Sequence, residues 1–158
     1  MNSGLALFLA FGIGVVAGLR SMTAPAVVAW AAYLGWINIH GSALEFMSSV
    51  WAVGILTLFA TGELVADKLP TTPSRTAPLG LVARVVTGAL SGACLAVAGD
   101  ASLWLGALAG AAGGIVGAFA GYRARIGLAQ MLHVRDLVVA VPEDFIAIGL
   151  GFSLVSRF

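Results

Sequence analysis

An all-α, polytopic transmembrane helix bundle is the fold class this sequence predicts, and three observations predict it. The chain of 158 residues is 60% hydrophobic and 9% charged, where a soluble domain carries about 25% charged residues. Its mean hydropathy of +1.03 leaves too little polar surface to cover a water-soluble globule. Its apolar residues fall into five or six uninterrupted stretches, each near the roughly 20 residues a helix needs to cross a bilayer. One domain accommodates this length.

The first stretch, residues 4–19, follows Met1-Asn2-Ser3 without basic residues and ends in Leu19-Arg20-Ser21-Met22, with no small-x-small cleavage site. It reads as a retained first segment. Ser21-Met22-Thr23-Ala24-Pro25 then reads as a tight turn, with Thr23 as N-cap candidate and Pro25 in a first helical turn, where its missing N–H costs little. The second stretch, 24–39, is short and either spans or lies re-entrant. Stretches 50–66, 79–98, 102–122 and 137–155 complete the set. Between the third and fourth, Pro70, Pro73 and Pro78 forbid helix and predict a stiff, extended loop.

Basic residues decide the topology. Cytoplasmic loops carry the excess of Lys and Arg. Six spans put Arg20, Lys68, Arg75, Arg84, Arg123, Arg125 and Arg135 on one side and leave only Arg157 on the other, with both termini outside. Six is therefore the expected count. Trp30, Trp36, Trp51 and Trp104 fall near span ends, as an interfacial aromatic belt requires.

Glycines recur at spacing four: Gly14 and Gly18, Gly88 and Gly92, then Gly106, Gly110 and Gly114, beside Gly113, Gly117 and Gly121. Small residues at i and i+4 let helix backbones approach, the main packing device in lipid. Close packing within a bundle or homodimer is the plainer reading; a pore or lipid groove is the other. The single Cys94, among small residues, reads as a packing residue, and His40 and His133 fit no zinc spacing. Gly14-Val-Val-Ala-Gly-Leu-Arg20 also echoes Gly117-Ala-Phe-Ala-Gly-Tyr-Arg123, which suggests an internal repeat.

Ionisable residues in or beside a span carry the functional information, because each costs about 2.5–3.5 kcal/mol at a helix centre. Glu63 and Asp67 share a helix face. Arg20, Lys68, Arg75, Arg84 and Arg123 are the cations near them in the six-span topology. The cluster could hold an anionic group or pass protons; the structural reading is an ion-pair network that sets helix register. Glu143 and Asp144 follow Pro142. Either a helix starts at Pro142 and the two acids favour its positive end, or the helix starts earlier and they lie inside it. Arg123, Arg125 and Arg135 also suit an interfacial segment on anionic lipid, and Glu45 and Asp100 read as exposed loop residues.

No P-loop, nucleophile elbow or His-Glu-x-x-His motif is present, so neither an enzymatic activity nor a cofactor or metal is expected. A net charge of +1 without a basic stripe gives no reason to expect nucleic acid. Gly18-Leu-Arg20-Ser-Met-Thr-Ala-Pro25, with Glu63-x-x-x-Asp67-Lys68-x-Pro70-x-x-Pro73-x-Arg75-Thr76-x-Pro78, Ala83-Arg84 and Gly88, resembles a family of small bacterial membrane proteins called domain of unknown function 4126. The resemblance implies a multi-pass protein of the bacterial inner membrane and supplies no activity. The leading expectation is a small permease or channel-like protein for a small or anionic solute, working as a homo-oligomer. Lipid handling, with a phospholipid or polyprenyl phosphate on the same arginines, and a non-catalytic subunit of a membrane complex are the alternatives.

Overall fold

A computed structural model of the chain describes residues 2–66, 77–132 and 136–158, with the backbone alone at 129, 132 and 136–140. The described residues form six α-helices and one 3-10 turn, without strands: α1 Ser3–Leu19, α2 Thr23–Tyr33, the 3-10 turn Glu45–Ser48, α3 Val50–Ala66, α4 Pro78–Ala98, α5 Leu103–Leu132 and α6 Asp136–Val155. Two of them, α4 and α5, are long and apolar enough to cross a membrane, while α1 and α3 are shorter apolar helices.

The helices alternate in direction. Leu5, Gly35, Ala98 and Arg157 line one shallow cavity of about 340 Å³, so α1 starts where α2, α4 and α6 end. At the opposite end the α1–α2 turn meets Glu63 of α3, Arg84 of α4 and Asp144 of α6. The first is the terminal end of the bundle, the second the Arg20 end. Trp36, Trp51 and Trp104 lie at the terminal end, with Trp30 about a turn inside it, where its indole N–H donates to Thr57 Oγ1 at 3.0 Å.

Glycine holds the centre together. α1, α4 and α5 pack against one another more extensively than any other helices. A Cβ on Gly14 would stand 2.1 Å from the Gly110 carbonyl oxygen, on Gly92 2.5 Å from that of Gly106, and on Gly117 2.3 Å from that of Val15. Gly14 pairs with Gly110 and Gly18 with Gly114, so α1 and α5 run parallel. The two echoing sequence segments thus lie on helices in direct contact, and Gly14, Gly18 and Gly117 are among the glycines that allow the contact. Packing, not pore lining, is the use made of this seam, and Cys94 sits buried beside it as a core residue.

Two helices differ in extent from the sequence reading. The stretch 24–39 is helical only to Tyr33, about 16 Å at 1.5 Å per residue. Gly35 takes φ +75°. The amide of Trp36 donates to Ala31 O at 2.8 Å and that of Gly35 to Ala32 O at 3.2 Å, the paired bonds of a Schellman stop. Ile37 and Ile39 are nevertheless buried, which is why apolarity alone extended the segment. Nothing lies within 4 Å of a Cβ on Gly35. Gly35→Ala therefore tests backbone strain alone, and a loss of about 1 kcal/mol in a denaturation midpoint series is expected. Conversely, α5 continues ten residues beyond Tyr122, since nothing from Arg123 to Leu132 breaks a helix.

In the loop at the terminal end, Glu45 accepts from the Gly41 amide at 3.0 Å and pairs with His40 at 3.2 Å. The Gly41 bond, then the His40 contact, hold its carboxyl below the ordinary value of 4.5. A depressed carboxyl stabilises its fold above its unfolded value and loses that contribution as pH falls through the folded one. Exchange protection of the Gly41 amide is accordingly expected to be intact at neutral pH and to vanish below the ordinary carboxylate range.

Candidate functional site

Helix α1 stops because Arg20 turns extended, at φ −140° and ψ 108°. The chain reverses over Ser21 and Met22, and α2 begins. Such a junction strands carbonyls at the end of one helix and amides at the start of the next. Thr23, the expected cap, makes no capping bond, and the N-cap residue Met22 has no side chain that could. The cap comes from another helix. Glu63 Oε1 accepts from the Ser21 amide at 2.9 Å and the Ser21 hydroxyl at 2.8 Å, and Oε2 accepts from the Met22 amide at 2.8 Å. A carboxylate at a helix start is also favoured by the helix dipole.

Arg84 performs the complementary service for α1. Its Nε donates to Gly18 O at 3.1 Å and its Nη1 to Gly80 O at 2.9 Å, while Nη2 stands 3.9 Å from Glu63 Oε1. Arg20 is fully buried, and its Nη2 lies 2.5 Å from Asp144 Oδ1 on α6. Two cations and two acids from four segments thus meet at one end of an apolar bundle. Thr87 and Ser91 continue the buried polar line down α4, but their hydroxyls donate to carbonyls of their own helix and add no site.

The fold therefore brings together Arg20, Glu63, Arg84 and Asp144. Helix α6 starts at Asp136 with Pro142 inside it, so Glu143 and Asp144 lie within the helix instead of heading it. Glu143 points elsewhere, with Oε2 3.8 Å from Arg125 Nη1 on α5. Arg123 is exposed and joins no ion pair among the described residues. Residues two apart on a helix point about 200° apart, so only one of Arg123 and Arg125 can face α6. Asp67, Lys68 and Arg75 lie outside the described residues. Ser21, with the amides of Ser21 and Met22, is the part of the site that the sequence reading missed. The only local signal was the turn itself, because its partner Glu63 is 41 to 42 residues away.

Among the described residues no group of three or more His, Cys, Asp or Glu side chains is placed to hold a metal ion. Chemically, the arrangement can bind a carboxylate and exchange ion-pair partners.

The family described as domain of unknown function (DUF4126) matches residues 7–156, and the chain belongs to it. No curated protein and no solved structure matches the chain.

Proposed function

We propose that this member of the family is a multi-pass membrane permease for a small anionic solute, with the α1–α2 turn as its anion-binding site. Several features support a lipid surround. Phe8, Leu58, Val82, Leu108 and Ile146, one from each of five helices, are all more than half exposed. Such an apolar exterior is costly in water and ordinary in lipid. Arg20, Arg84, Arg123 and Arg125 share one end while Arg157 is at the other, which suits a cytoplasmic Arg20 end. The glycine seam leaves α1, α4 and α5 as a closed scaffold. A solute path therefore runs on the α2, α3 and α6 side, where α3 buries only Val53 among its residues.

One observation carries the solute reading. The donors of the turn hold a carboxylate already, that of Glu63, with the Arg84 guanidinium 3.9 Å away. Donors that hold an internal carboxylate fit an external one as well. Glu63 then acts as an occupant that solute displaces, and Arg20 with Asp144 braces the turn. Buried charged groups at half-helix ends serve this purpose in transporters generally.

The test is uptake of radiolabelled lactate by proteoliposomes of the full chain. Saturable uptake at least tenfold above protein-free liposomes is expected, with a loss of tenfold or more in Arg84→Gln protein that retains its helical circular dichroism. Uptake at the protein-free level for lactate, phosphate and chloride alike would sink the proposal. A lipid phosphate is the rival occupant, favoured by the exposure of Val65 and Leu79 beside the cluster. Native mass spectrometry that finds one stoichiometric phospholipid, lost in Arg84→Gln, would replace the permease by a lipid-handling protein.

A further inference from the structure

We infer that the terminal end of the bundle holds one phospholipid, with its phosphate on Arg157 and Asn38 and its apolar part beside Trp36. The inference needs the lipid surround but not the solute, since these residues lie at the end opposite the α1–α2 turn.

The site begins with the early stop of α2. At 1.5 Å per residue α2 is about 16 Å long, against about 26 Å for α1. The rest of the path across the terminal end falls to the irregular segment 34–44. Two shallow cavities open beside that segment, of about 340 and 410 Å³, and both are lined by Trp36 and Phe158. Each volume lies within the roughly 300–1,000 Å³ of ligand sites. Gly35 borders the smaller cavity, and a Cβ there would meet nothing within 4 Å.

The two cavities differ in chemistry. Asn38 and Arg157 bring side-chain donors to the smaller one. Asn38 Oδ1 accepts from the His40 amide at 3.1 Å, while its Nδ2 donates to no group among the described residues. The Arg157 guanidinium likewise makes no ion pair or hydrogen bond among them. It is also the one Lys or Arg side chain described at this end. Two acids share the end without neutralising it. Glu45 is taken by the Gly41 amide and His40, and Asp100, in the turn between α4 and α5, forms no ion pair among the described residues. The smaller cavity thus offers donors and one positive charge. Its complement is a group with acceptors alone and one negative charge, which describes a phosphodiester. A guanidinium binds such a group through charge-assisted hydrogen bonds.

The larger cavity is apolar. Beside Trp36 and Phe158 it is lined by Val155 and by Ser156, whose hydroxyl is spent on Ser153 O at 3.0 Å. The Trp36 ring stands edge-on to the exposed Phe152 of α6, with centroids 6.3 Å apart. A donor-lined hollow adjoins an apolar one at the level where Trp36, Trp51 and Trp104 mark the interface. That pairing fits the two-part chemistry of a phospholipid, where a free anion would use only the first hollow.

The test is native mass spectrometry of the full chain in mild detergent, titrated with dioleoyl phosphatidylglycerol. One tightly bound lipid per chain is expected. Arg157→Gln should weaken it at least about fivefold, and Asn38→Ala should weaken it as well. Arg123→Gln, which removes an exposed arginine at the other end, should change it less than twofold. Inorganic phosphate in large excess should leave the lipid in place. Equal affinity in Arg157→Gln and wild-type protein overturns the site, as does an equal loss in Arg157→Gln and Arg123→Gln. Displacement by inorganic phosphate would assign the hollow to a free anion and overturn the lipid. A lipid lost in Arg84→Gln and kept in Arg157→Gln belongs to the Arg20 end, and overturns this site too.

Discussion

Gly110→Val is expected to leave no folded protein, and Gly110→Ala to cost more than the roughly 1–3 kcal/mol of ordinary overpacking. A Cβ at Gly110 would stand 2.1 Å from the Gly88 carbonyl oxygen, 2.8 Å from its carbonyl carbon and 3.0 Å from the Gly92 Cα. These are backbone atoms of a packed helix, not the ends of flexible side chains, so no rotamer change can make room. The helices must separate, and the contacts of Gly14, Gly88 and Gly92 separate with them. Gly54→Ala on α3 is the control, because nothing lies within 4 Å of its Cβ. There the loss of glycine entropy dominates, and a gain of up to about 1 kcal/mol is expected. Thermal unfolding followed by far-ultraviolet circular dichroism in detergent separates the two. Similar midpoints for Gly110→Ala and Gly54→Ala would refute the seam.

Arg20→Gln is expected to be the most damaging change outside that seam, at about 3–5 kcal/mol, because it removes the buried guanidinium that pairs with the Asp144 carboxylate. Asp144→Asn should cost about as much for the mirror reason. The double variant should cost less than the sum of the two single changes, since each of them removes the same ion pair. A coupling energy of at least 1 kcal/mol in the double-mutant cycle is expected between side chains in direct contact. Additive losses would show that Arg20 and Asp144 act independently, and would remove the brace from the proposed site. The same cycle on Arg125 and Glu143, 3.8 Å apart at closest approach, should give a smaller coupling.

Glu63→Gln carries a related lesson. Glutamine keeps one acceptor oxygen and turns the other into a donor. Either orientation sets that donor against the Ser21 or the Met22 amide, and only on the Ser21 side does a hydroxyl stand near enough to accept from it. The substitution therefore weakens the turn as well as removing a titratable group. This double effect is visible only once the partners are known.

The sequence alone determined a good deal. Composition specified an all-helical chain, and glycine at spacing four marked helices able to approach a neighbour closely, in a bundle or a homodimer, without saying which neighbour. Both follow from local chemistry: apolar runs without breakers form helices, and a residue without a Cβ admits a neighbour wherever it recurs each turn. Ionisable residues were also legible as candidates, because charge in an apolar run is expensive wherever the run ends up. The tertiary structure decided the partners. Glu63 caps a helix that starts 40 residues earlier in the chain, Arg125 and not Arg123 faces an acid, and Asp144, not Glu143, meets Arg20. The second helix stops at Tyr33 while Ile37 and Ile39 stay buried. None of these can be read from spacing, because a charge or an apolar side chain reports that it needs a partner and not which distant segment supplies it. That choice depends on helix rotation and direction, which the glycine seam sets for α1, α4 and α5.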